Sequence, residues 1–465
     1  MSTEAFPVVA KRTTYSLIAL LLVLVSGCTS RKDEYRNGRL VIIYWEKWTG
    51  FEGQAMQDVV DAFNASQDKI WVEKITSSRL DRKLLAAIAG GTPPDVAGLW
   101  NQYLALYASK NALLPLDDRM RDAGFTEDYY KPVYWELCRW QGVHYALPTT
   151  PATTALYWNK RLFREAGLDP DRPPRTLAEL NAFAEKLTKF DDSGNIIQMG
   201  FLPAEPGWWM WSWGFWFGGK LMSDPETISM DSPENIRSAE WVASFSKKYG
   251  VGAIEKFRTS YTQGAESIFS SPQNPFLSSK VAMEVQGVWL YNFIEKYAPG
   301  MEWGAAPFPS ADPDLPNVTM AECDILVLPR GSPHPDEAWT FMKFANSQEG
   351  LEILNLGQRK FSPLTKTSDQ FWEDNPHAYI KVFSDLAESP NAFFAPKTPI
   401  WVEYRRDIIA AMDTIQNLSK SPAEAFHAVK VRAQKRLDYE VRRMKKRGTW
   451  QPDASGITCT LNQVR

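Results

Sequence analysis

Tryptophans lie beside carboxylate or amide side chains at several places along the chain. Trp45 and Trp48 flank Glu46 directly after an apolar run, and Trp100 is followed by Asn101. An indole ring buries a large flat apolar surface, whereas carboxylate and amide oxygens accept hydrogen bonds from hydroxyl groups. A sugar presents both kinds of surface, an apolar C–H face and a rim of hydroxyls. The combination therefore indicates a carbohydrate-binding site.

Three later segments carry the same combination. Glu205 comes shortly before Trp208 and Trp209, Trp289 follows Gln286-Gly287-Val288, and Trp401 precedes Glu403. Nineteen tryptophans and 13% aromatic residues are more than a core of this size requires. An indole N–H also needs a partner when it is buried. We therefore expect some of these rings to contact a ligand.

Each of these tryptophans has an alternative role as the edge of a hydrophobic core. The two roles are equally compatible with a tryptophan that follows a strand, whereas Glu46 between two rings favours a polar contact. Other tryptophans alternate with small or apolar residues or lie on predicted elements, and we expect them to pack in the core: Trp71, Trp211, Trp213, Trp216, Trp241, Trp339 and Trp372.

A cleft lined by tryptophans and carboxylates is also typical of glycosidases, which need two carboxylates at a set separation. Glu46, Glu205 and Glu403 are available for that role. The sequence contains no GxSxG, HExxH or Walker motif and only four histidines, so other hydrolytic chemistry lacks support. The cysteine spacings match no metal motif, and we expect neither a metal nor a cofactor.

The length, composition and charge of the chain exclude several classes of protein. The chain has 465 residues, 44% hydrophobic and 23% charged, with a formal net charge of −3. This composition is ordinary for a globular protein of two or three domains and excludes a disordered or fibrous chain. A nearly neutral chain lacks the broad basic field typical of nucleic-acid binding, so no nucleic-acid partner is expected.

The N-terminus has the features of an export signal. Lys11 and Arg12 precede the apolar run 17–25, which is too short to span a bilayer, and Cys28 follows two small residues. This end resembles a bacterial lipobox, which implies that Cys28 carries the lipid; the alternative is a cleaved signal beside an incidental cysteine. Three cysteines then remain, and the sequence leaves their pairing open.

Alternating strand and helix patterns along the chain predict an α/β fold. The first unit combines strands at 39–45, 70–75 and 95–99 with helices at 56–64 and 80–89. Its order of strand, helix, strand, helix, strand favours a largely parallel sheet. Further strands are expected at 155–158, 281–285 and 325–328, and further helices at 161–166, 176–187, 231–245, 335–345, 402–415 and 422–444.

Several motifs, in order, resemble one family across nearly the whole mature chain. The chain resembles the extracellular solute-binding proteins of ABC importers, in the family-1 branch that includes maltose-binding proteins. The motifs are YWEKWTG at 44–50 with DAFN at 61–64, LLAAIAGGTPPDV at 84–96, LPLD at 114–117, YALP at 145–148, ALYWNK at 155–160 with FREAGL at 163–168, KVAM at 280–283 with GVW at 287–289, and VLPRGS at 327–332.

The resemblance implies a two-lobe fold of the periplasmic-binding-protein type. Each lobe would be a mainly parallel sheet flanked by helices, with the ligand cleft at the hinge. The expected organisation is a lipoprotein signal peptide at 1–27, a lipid anchor and tether at 28–38, lobe 1 at 39–147 with 310–355, lobe 2 at 148–309 with 356–450, and a tail at 451–465.

The resemblance also implies a function and its partners. The chain would bind a carbohydrate, deliver it to the transmembrane subunits of an ABC permease, and stay on the extracytoplasmic face of the cell membrane as a lipid-anchored monomer. Two alternatives remain, an exported carbohydrate-active enzyme and a sensing lipoprotein that feeds no transporter, because a fold does not fix a function.

The resemblance supports particular residues as ligand contacts. Glu205 with Trp208 or Trp209 matches a ligand-contacting loop of lobe 2, Trp289 matches a tryptophan that follows Asn-Gly-Pro in the family, and Trp401 matches a C-terminal stacking tryptophan loosely. Two positions differ from the maltose-binding subgroup and argue against a malto-oligosaccharide: Trp100-Asn101 stands where charged residues follow an aromatic one, and a carboxylate is missing near Thr150. Arg359, at an expected lobe crossing, contacts either the ligand or a hinge carboxylate.

Overall fold

The computed structural model describes residues 33–207, 209–262 and 271–452. The expected signal peptide, Cys28, Trp208 and Cys459 lie outside these residues. Its strands are β1 (Tyr35–Arg36), β2 (Arg39–Glu46), β3 (Ile70–Thr76), β4 (Val96–Trp100), β5 (Arg139–Trp140), β6 (Val143–His144), β7 (Ala146–Asn159), β8 (Lys189–Phe190), β9 (Ile196–Phe201), β10 (Met222–Asp224), β11 (Thr227–Ile228), β12 (Val281–Gly287), β13 (Trp303–Ala306), β14 (Thr319–Val327) and β15 (Ala392–Phe393).

The helices lie mostly between these strands. They are α1 (Gly50–Ser66), α2 (Leu80–Ala89), α3 (Leu104–Ser109), α4 (Asp117–Asp122), α5 (Pro132–Leu137), α6 (Lys160–Glu165), α7 (Leu177–Leu187), α8 (Pro233–Tyr249), α9 (Val251–Thr262), α10 (Leu290–Tyr297), α11 (Pro335–Ala345), α12 (Gln348–Gly357), α13 (Asp369–Glu373), α14 (Ile380–Ala387), α15 (Trp401–Gln416) and α16 (Pro422–Arg447), with 3-10 turns at Asn101–Tyr103 and Trp213–Phe217. None of the helices in the described part of the chain combines the length and apolarity that crossing a bilayer requires.

The first unit confirms the α/β prediction. Strand β2 pairs in parallel with β3 on one side and with β4 on the other. Helix α1 connects β2 to β3, and its apolar residues at helical spacing are buried: Met56, Val59, Val60 and Phe63. Helix α2 has the bounds that the sequence predicts, because Gly90 and the prolines after it prevent its continuation.

Strand β7 connects the two halves of the main sheet. Its early residues pair antiparallel with β14, from Ala146 to Thr153, whereas its later residues pair with β12 and β13. The sheet is therefore mixed: β2 pairs in parallel with β3 and β4, and β12 pairs in parallel with β9, whereas the central pairs and the outermost pairs, β1 with β2 and β8 with β9, are antiparallel. Its central order is β2-β4-β14-β7-β12-β9.

The length of β7 differs from the sequence prediction, which covers only 155–158. The strand has 14 residues, all buried, and begins with a run rich in threonine. These threonines are compatible with burial because their hydroxyls have backbone partners: Thr149 Oγ1 donates to the Asp324 carbonyl over 3.0 Å and Thr153 Oγ1 donates to the Phe383 carbonyl over 2.8 Å. Tertiary pairing thus satisfies polar groups that make the segment look like a loop in the sequence.

The core is rich in tryptophan in the half around β9 and β12. Trp211, Trp213 and Trp216 are buried there, as their alternation with small or apolar residues predicts. Trp241 and Trp339 are also buried, whereas Trp71 and Trp372 are only partly buried. Cys138 and Cys323 are both buried and both free.

Candidate functional site

A cavity of about 600 Å³ lies between the two halves of the sheet. It brings together five residues that the sequence predicts as ligand contacts: Trp48, Trp100, Thr150, Trp209 and Trp289. Trp211 lines it as well, although the sequence favours only a packing role for that ring. The volume and the aromatic lining are within the range of small-molecule sites.

One wall of the cavity comes from the ends of two neighbouring parallel strands. Trp48 follows β2 and Trp100 ends β4, so both rings lie at the same edge of the sheet. Their ring centroids are 5.8 Å apart and nearly perpendicular. The ammonium of Lys47 lies 5.2 Å from the Trp48 ring and 5.3 Å from the Trp100 ring. These cation–π contacts of Lys47 with both rings stabilise the wall.

Asp324 on β14 holds this wall in place. Its Oδ2 accepts a hydrogen bond from the Trp48 indole N–H over 2.6 Å, and its Oδ1 lies 3.1 Å from Lys47 Nζ. Lys47 Nζ also lies 3.5 Å from Glu46 Oε1. Two carboxyl groups, those of Glu46 and Asp324, therefore share one buried ammonium group.

Glu46 itself has protein partners and does not line the cavity. Its Oε1 accepts from the backbone N–H groups of Lys47 and Trp48, and its Oε2 accepts from the Tyr44 hydroxyl. Burial by itself would raise the pKa of Glu46, but the charge of Lys47 and these hydrogen bonds hold it below its usual value. A Cβ at Gly98 would lie 2.6 Å from Glu46 Oε2, so only glycine leaves room for this carboxylate.

The opposite wall is built from three tryptophans of the other half. Trp209 donates its indole N–H to the Val285 carbonyl over 3.0 Å, which fixes that ring against β12. The rings of Trp209 and Trp289 have centroids 6.0 Å apart. The Trp289 ring lies over Gly287, where an added Cβ would come within 2.3 Å of the indole. Gly287 therefore determines where the Trp289 ring lies.

Charged side chains also line the cavity. Glu52 and Lys360 form an ion pair of 3.1 Å, and both line the cavity. Glu322 and Arg405 also line it, and Glu322 is partly exposed there. Burial and the like charge of Asp324 raise the pKa of Glu322 to about 7, against the opposing effect of Arg405.

Sequence reasoning missed these polar residues. Glu322 and Asp324 lie two residues apart on β14, so both face the same side of the strand. A pair of carboxylates within a strand of otherwise apolar residues was the available signal. Arg405 and Lys360 carry no comparable signal, because their place in the cavity depends on how distant segments pack.

Other predicted site residues lie behind the walls. Asn101 is buried, and its Oδ1 accepts from the Cys323 backbone N–H over 3.1 Å. Trp401 is buried behind Trp211, with ring centroids 4.9 Å apart. Trp45 is partly buried and packs against the core. These three residues are placed to support the cavity lining.

Glu205 and Arg359 also have protein partners. Glu205 is buried, and its Oε1 accepts from Arg258 Nε over 2.8 Å and from the Tyr261 hydroxyl over 2.9 Å. Arg359 has a positive φ of 55° and its guanidinium lies 5.8 Å from the centre of the Tyr291 ring. Neither residue belongs to the cavity lining.

The three carboxylates that the sequence offers for the glycosidase alternative do not converge in the cavity. Glu46 and Glu205 are enclosed by the partners described above, and Glu403 lines a separate surface groove beside α16. Within 33–207, 209–262 and 271–452, no three His, Cys, Asp or Glu side chains are grouped as metal ligands would be. The arrangement of the cavity is that of a binding site with two aromatic walls.

Comparison with known proteins identifies related chains. The family model described as a bacterial extracellular solute-binding protein matches residues 50–352. A putative binding protein from Brucella abortus is 25% identical over 370 residues, which are 78% of this chain and 85% of that protein. A maltotriose-binding protein from Pyrococcus abyssi is 22% identical over 376 residues, which are 80% of this chain and 76% of that protein.

Solved structures of sugar-binding proteins have a fold similar to that of this chain. The mannobiose-bound protein CpMnBP1 has a TM-score of 0.74 and 27% identity, over 84% of this chain and 99% of that one. The sugar-binding protein MalE from Xanthomonas citri has a TM-score of 0.69 and 19% identity, over 88% and 99% of the two chains. The two-lobe fold is therefore shared with sugar-binding proteins of this type.

Proposed function

Because the chain belongs to the bacterial extracellular solute-binding protein family, we propose that it captures a sugar or oligosaccharide between its two lobes and delivers it to the permease of an ABC importer. The observation that carries the proposal is the pair of facing aromatic walls, Trp48 with Trp100 and Trp209 with Trp289, around one cavity. Walls from different halves of the sheet can close on the two faces of one sugar ring.

The proposed mechanism is a population shift between open and closed forms. Contacts that a ligand makes with both walls at once stabilise the closed form relative to the open one. Strand β7 passes from one half of the sheet to the other, and we propose that the lobes rotate about it and its neighbour β14. No covalent step is required, and the permease would recognise the closed form.

The relatives support a saccharide as the ligand. CpMnBP1, which was solved with mannobiose and with mannotriose, matches 84% of this chain at 27% identity. The family consists of binding proteins, which favours this function over the alternative of an exported carbohydrate-active enzyme.

The remaining features of the proposal concern location and organisation. The extracellular solute-binding family implies an exported protein. We propose that Cys28 carries the lipid anchor, that the monomer is the working form, and that lobe 1 comprises 39–147 with 310–355 and lobe 2 comprises 148–309 with 356–450. Radiolabelled palmitate incorporated by the wild type and not by Cys28→Ser would support the anchor; equal incorporation would contradict it.

Native mass spectrometry of the purified full chain in detergent tests the proposed function. The chain is mixed with neutral and acidic mono- and oligosaccharides that include mannobiose and maltotriose. A complex of one chain with one intact sugar is expected. Product masses that accumulate with time would instead show turnover and an enzyme. The absence of both adduct and product across the whole panel would contradict a saccharide ligand.

A further inference from the structure

Arg405 is a cation in the cavity without a hydrogen-bond or ion-pair partner among the described residues. Its side chain reaches the cavity from α15, and no described residue forms a hydrogen bond or ion pair with it. Its Nε is shielded from solvent and has no acceptor. Removing a charged donor from water without giving it an acceptor is unfavourable, so this position is suited to an acceptor that the ligand supplies.

The other charged groups of the cavity differ from Arg405 in this respect. Lys360 pairs with Glu52 at 3.1 Å and also donates to Gln358 over 2.9 Å. Asp324 pairs with Lys47 at 3.1 Å. Lys296 is exposed and lies 4.9 Å from the centre of the Tyr297 ring. Of the cations on this lining, Arg405 alone among the described residues combines a shielded nitrogen with the lack of a carboxylate partner.

The charge of Arg405 influences the pKa of the Glu322 carboxyl group, but Arg405 and Glu322 do not form an ion pair within 4.0 Å. The pKa of Glu322 is raised to about 7, so near neutral pH this carboxyl is only partly ionised. Near neutral pH, Glu322 therefore compensates the charge of Arg405 only in part.

We infer that Arg405 binds a carboxylate of the ligand, and that the saccharide class this protein prefers carries a uronic-acid unit. A guanidinium presents two parallel N–H groups that match the two oxygens of a carboxylate. The aromatic walls contact the faces of the sugar, and the carboxylate at C6 of a uronic acid projects from the ring edge towards Arg405. This inference rests on the proposed function and adds the ligand class to it.

Isothermal titration calorimetry tests the inference with the full chain in detergent. The probes are neutral disaccharides (mannobiose, cellobiose and galactobiose) and the corresponding disaccharides of mannuronic, glucuronic and galacturonic acid. We expect at least one diuronate to bind tenfold or more tightly than its neutral counterpart. We also expect its affinity to fall several-fold between 50 and 500 mM salt, because the contact is between charges.

Two variants of neighbouring residues separate the role of Arg405 from general effects. Arg405→Gln should lower affinity for the preferred diuronate tenfold or more and change affinity for neutral disaccharides less than threefold. Arg406→Gln is the matched control, because Arg406 is the next residue of α15 and is exposed outside the cavity. It should leave both affinities unchanged. Circular dichroism of both variants checks that they are folded.

The outcomes distinguish this inference from the proposed function. Tight binding of a neutral disaccharide with no preference for any diuronate would overturn the inference and leave the proposed function intact. An equal loss of affinity for neutral and acidic sugars in Arg405→Gln would also overturn the inference, because Arg405 would then contact sugar hydroxyl groups. Binding of none of the probes would overturn the inference, whereas the proposed function is decided by the wider panel of mono- and oligosaccharides in the mass-spectrometry experiment. If Arg405→Gln does not fold, the salt dependence and the diuronate preference of the wild type decide the question.

Discussion

The indole N–H of Trp48 donates to Asp324 Oδ2 over 2.6 Å, although the two residues are 276 positions apart in the sequence. This bond joins the loop after β2 to the central strand β14. The same carboxylate lies 3.1 Å from Lys47 Nζ, so one side chain positions an aromatic wall and compensates a buried charge. The position of the cavity-lining Trp48 ring therefore depends on a residue from a distant part of the chain.

We predict that Asp324→Asn lowers the stability of the protein. An asparagine oxygen can still accept from Trp48, but it cannot compensate Lys47, whose side chain is 3% exposed. Breaking a buried ion pair at one partner costs about 3–5 kcal/mol, and Glu46 at 3.5 Å reduces this to about 2–4 kcal/mol. Urea denaturation followed by tryptophan fluorescence measures the change.

The matched control for this variant is Asp118→Asn. Asp118 pairs with Arg121 on the surface, and both side chains are largely exposed. Exposed pairs contribute less than about 1 kcal/mol, so the midpoint of this variant should stay near that of the wild type. Equal midpoints of urea denaturation for Asp324→Asn and Asp118→Asn would mean that the buried group of Glu46, Lys47 and Asp324 does not stabilise the fold.

Trp289→Ala should weaken ligand binding. The ring forms part of the second aromatic wall, and an aromatic stacking anchor contributes about 1–3 kcal/mol to affinity. Calorimetry with the sugar found by mass spectrometry measures the loss. Trp71→Ala is the control, because Trp71 is partly buried on β3 and does not line the cavity. Unchanged affinity in Trp289→Ala would remove this ring from the site.

Gly287→Ala should displace the Trp289 ring without removing it. The added methyl would lie within 2.3 Å of the indole, so the ring must move, at a cost of about 1–3 kcal/mol in stability and with weaker sugar binding. Gly252→Ala is the control, because nothing lies within 4 Å of its added methyl. Thermal unfolding and calorimetry check both variants. A Gly287→Ala protein with wild-type stability and affinity would contradict this position of the ring.

Glu284 should make stability depend on pH. Burial raises its pKa to about 8, with a further contribution from the nearby Glu205 carboxylate. Its Oε1 accepts from Gln286, and its Oε2 has no hydrogen-bond partner in the described part of the chain. An unfolded glutamate has a pKa of about 4.3, so between about pH 4.5 and 8 the folded state holds a proton that the unfolded state has lost. Stability therefore falls as pH rises through this window.

Glu284→Gln removes the titrating carboxyl group. It should therefore remove the contribution of Glu284 to the pH dependence of the free energy of unfolding. Relative to the wild type, the variant should gain stability with rising pH between 5 and 8, by at most about 1.4 kcal/mol per pH unit. Urea denaturation at pH 5, 6, 7 and 8 measures the difference. Glu240→Gln, an exposed position on α8, should show no such gain. Parallel pH curves for Glu284→Gln and the wild type would show that Glu284 is ionised throughout.

The elements near the start of the chain could be predicted because local patterns determine them. The apolar run of β2, the helical spacing of Met56 and Phe63, and the glycines after α2 each act within a few residues. The candidate site could be predicted only in part. Trp48, Trp100, Trp209 and Trp289 could be identified because a tryptophan after a strand or in a loop is conspicuous, whether or not it faces a ligand.

The sequence by itself determined the family, the α/β class and the excess of aromatic rings, since these follow from residue types and short-range order. Only the tertiary structure decided which polar groups face the cavity. Glu46 looked like a ligand contact, but its oxygens are used by Tyr44 and nearby backbone N–H groups. No sequence pattern marked Arg405 as a site residue, yet it lines the cavity and has no hydrogen-bond or ion-pair partner in the part of the chain that the structure describes. A side chain is available to a ligand only if folding leaves it without an internal partner, and that depends on contacts between distant segments.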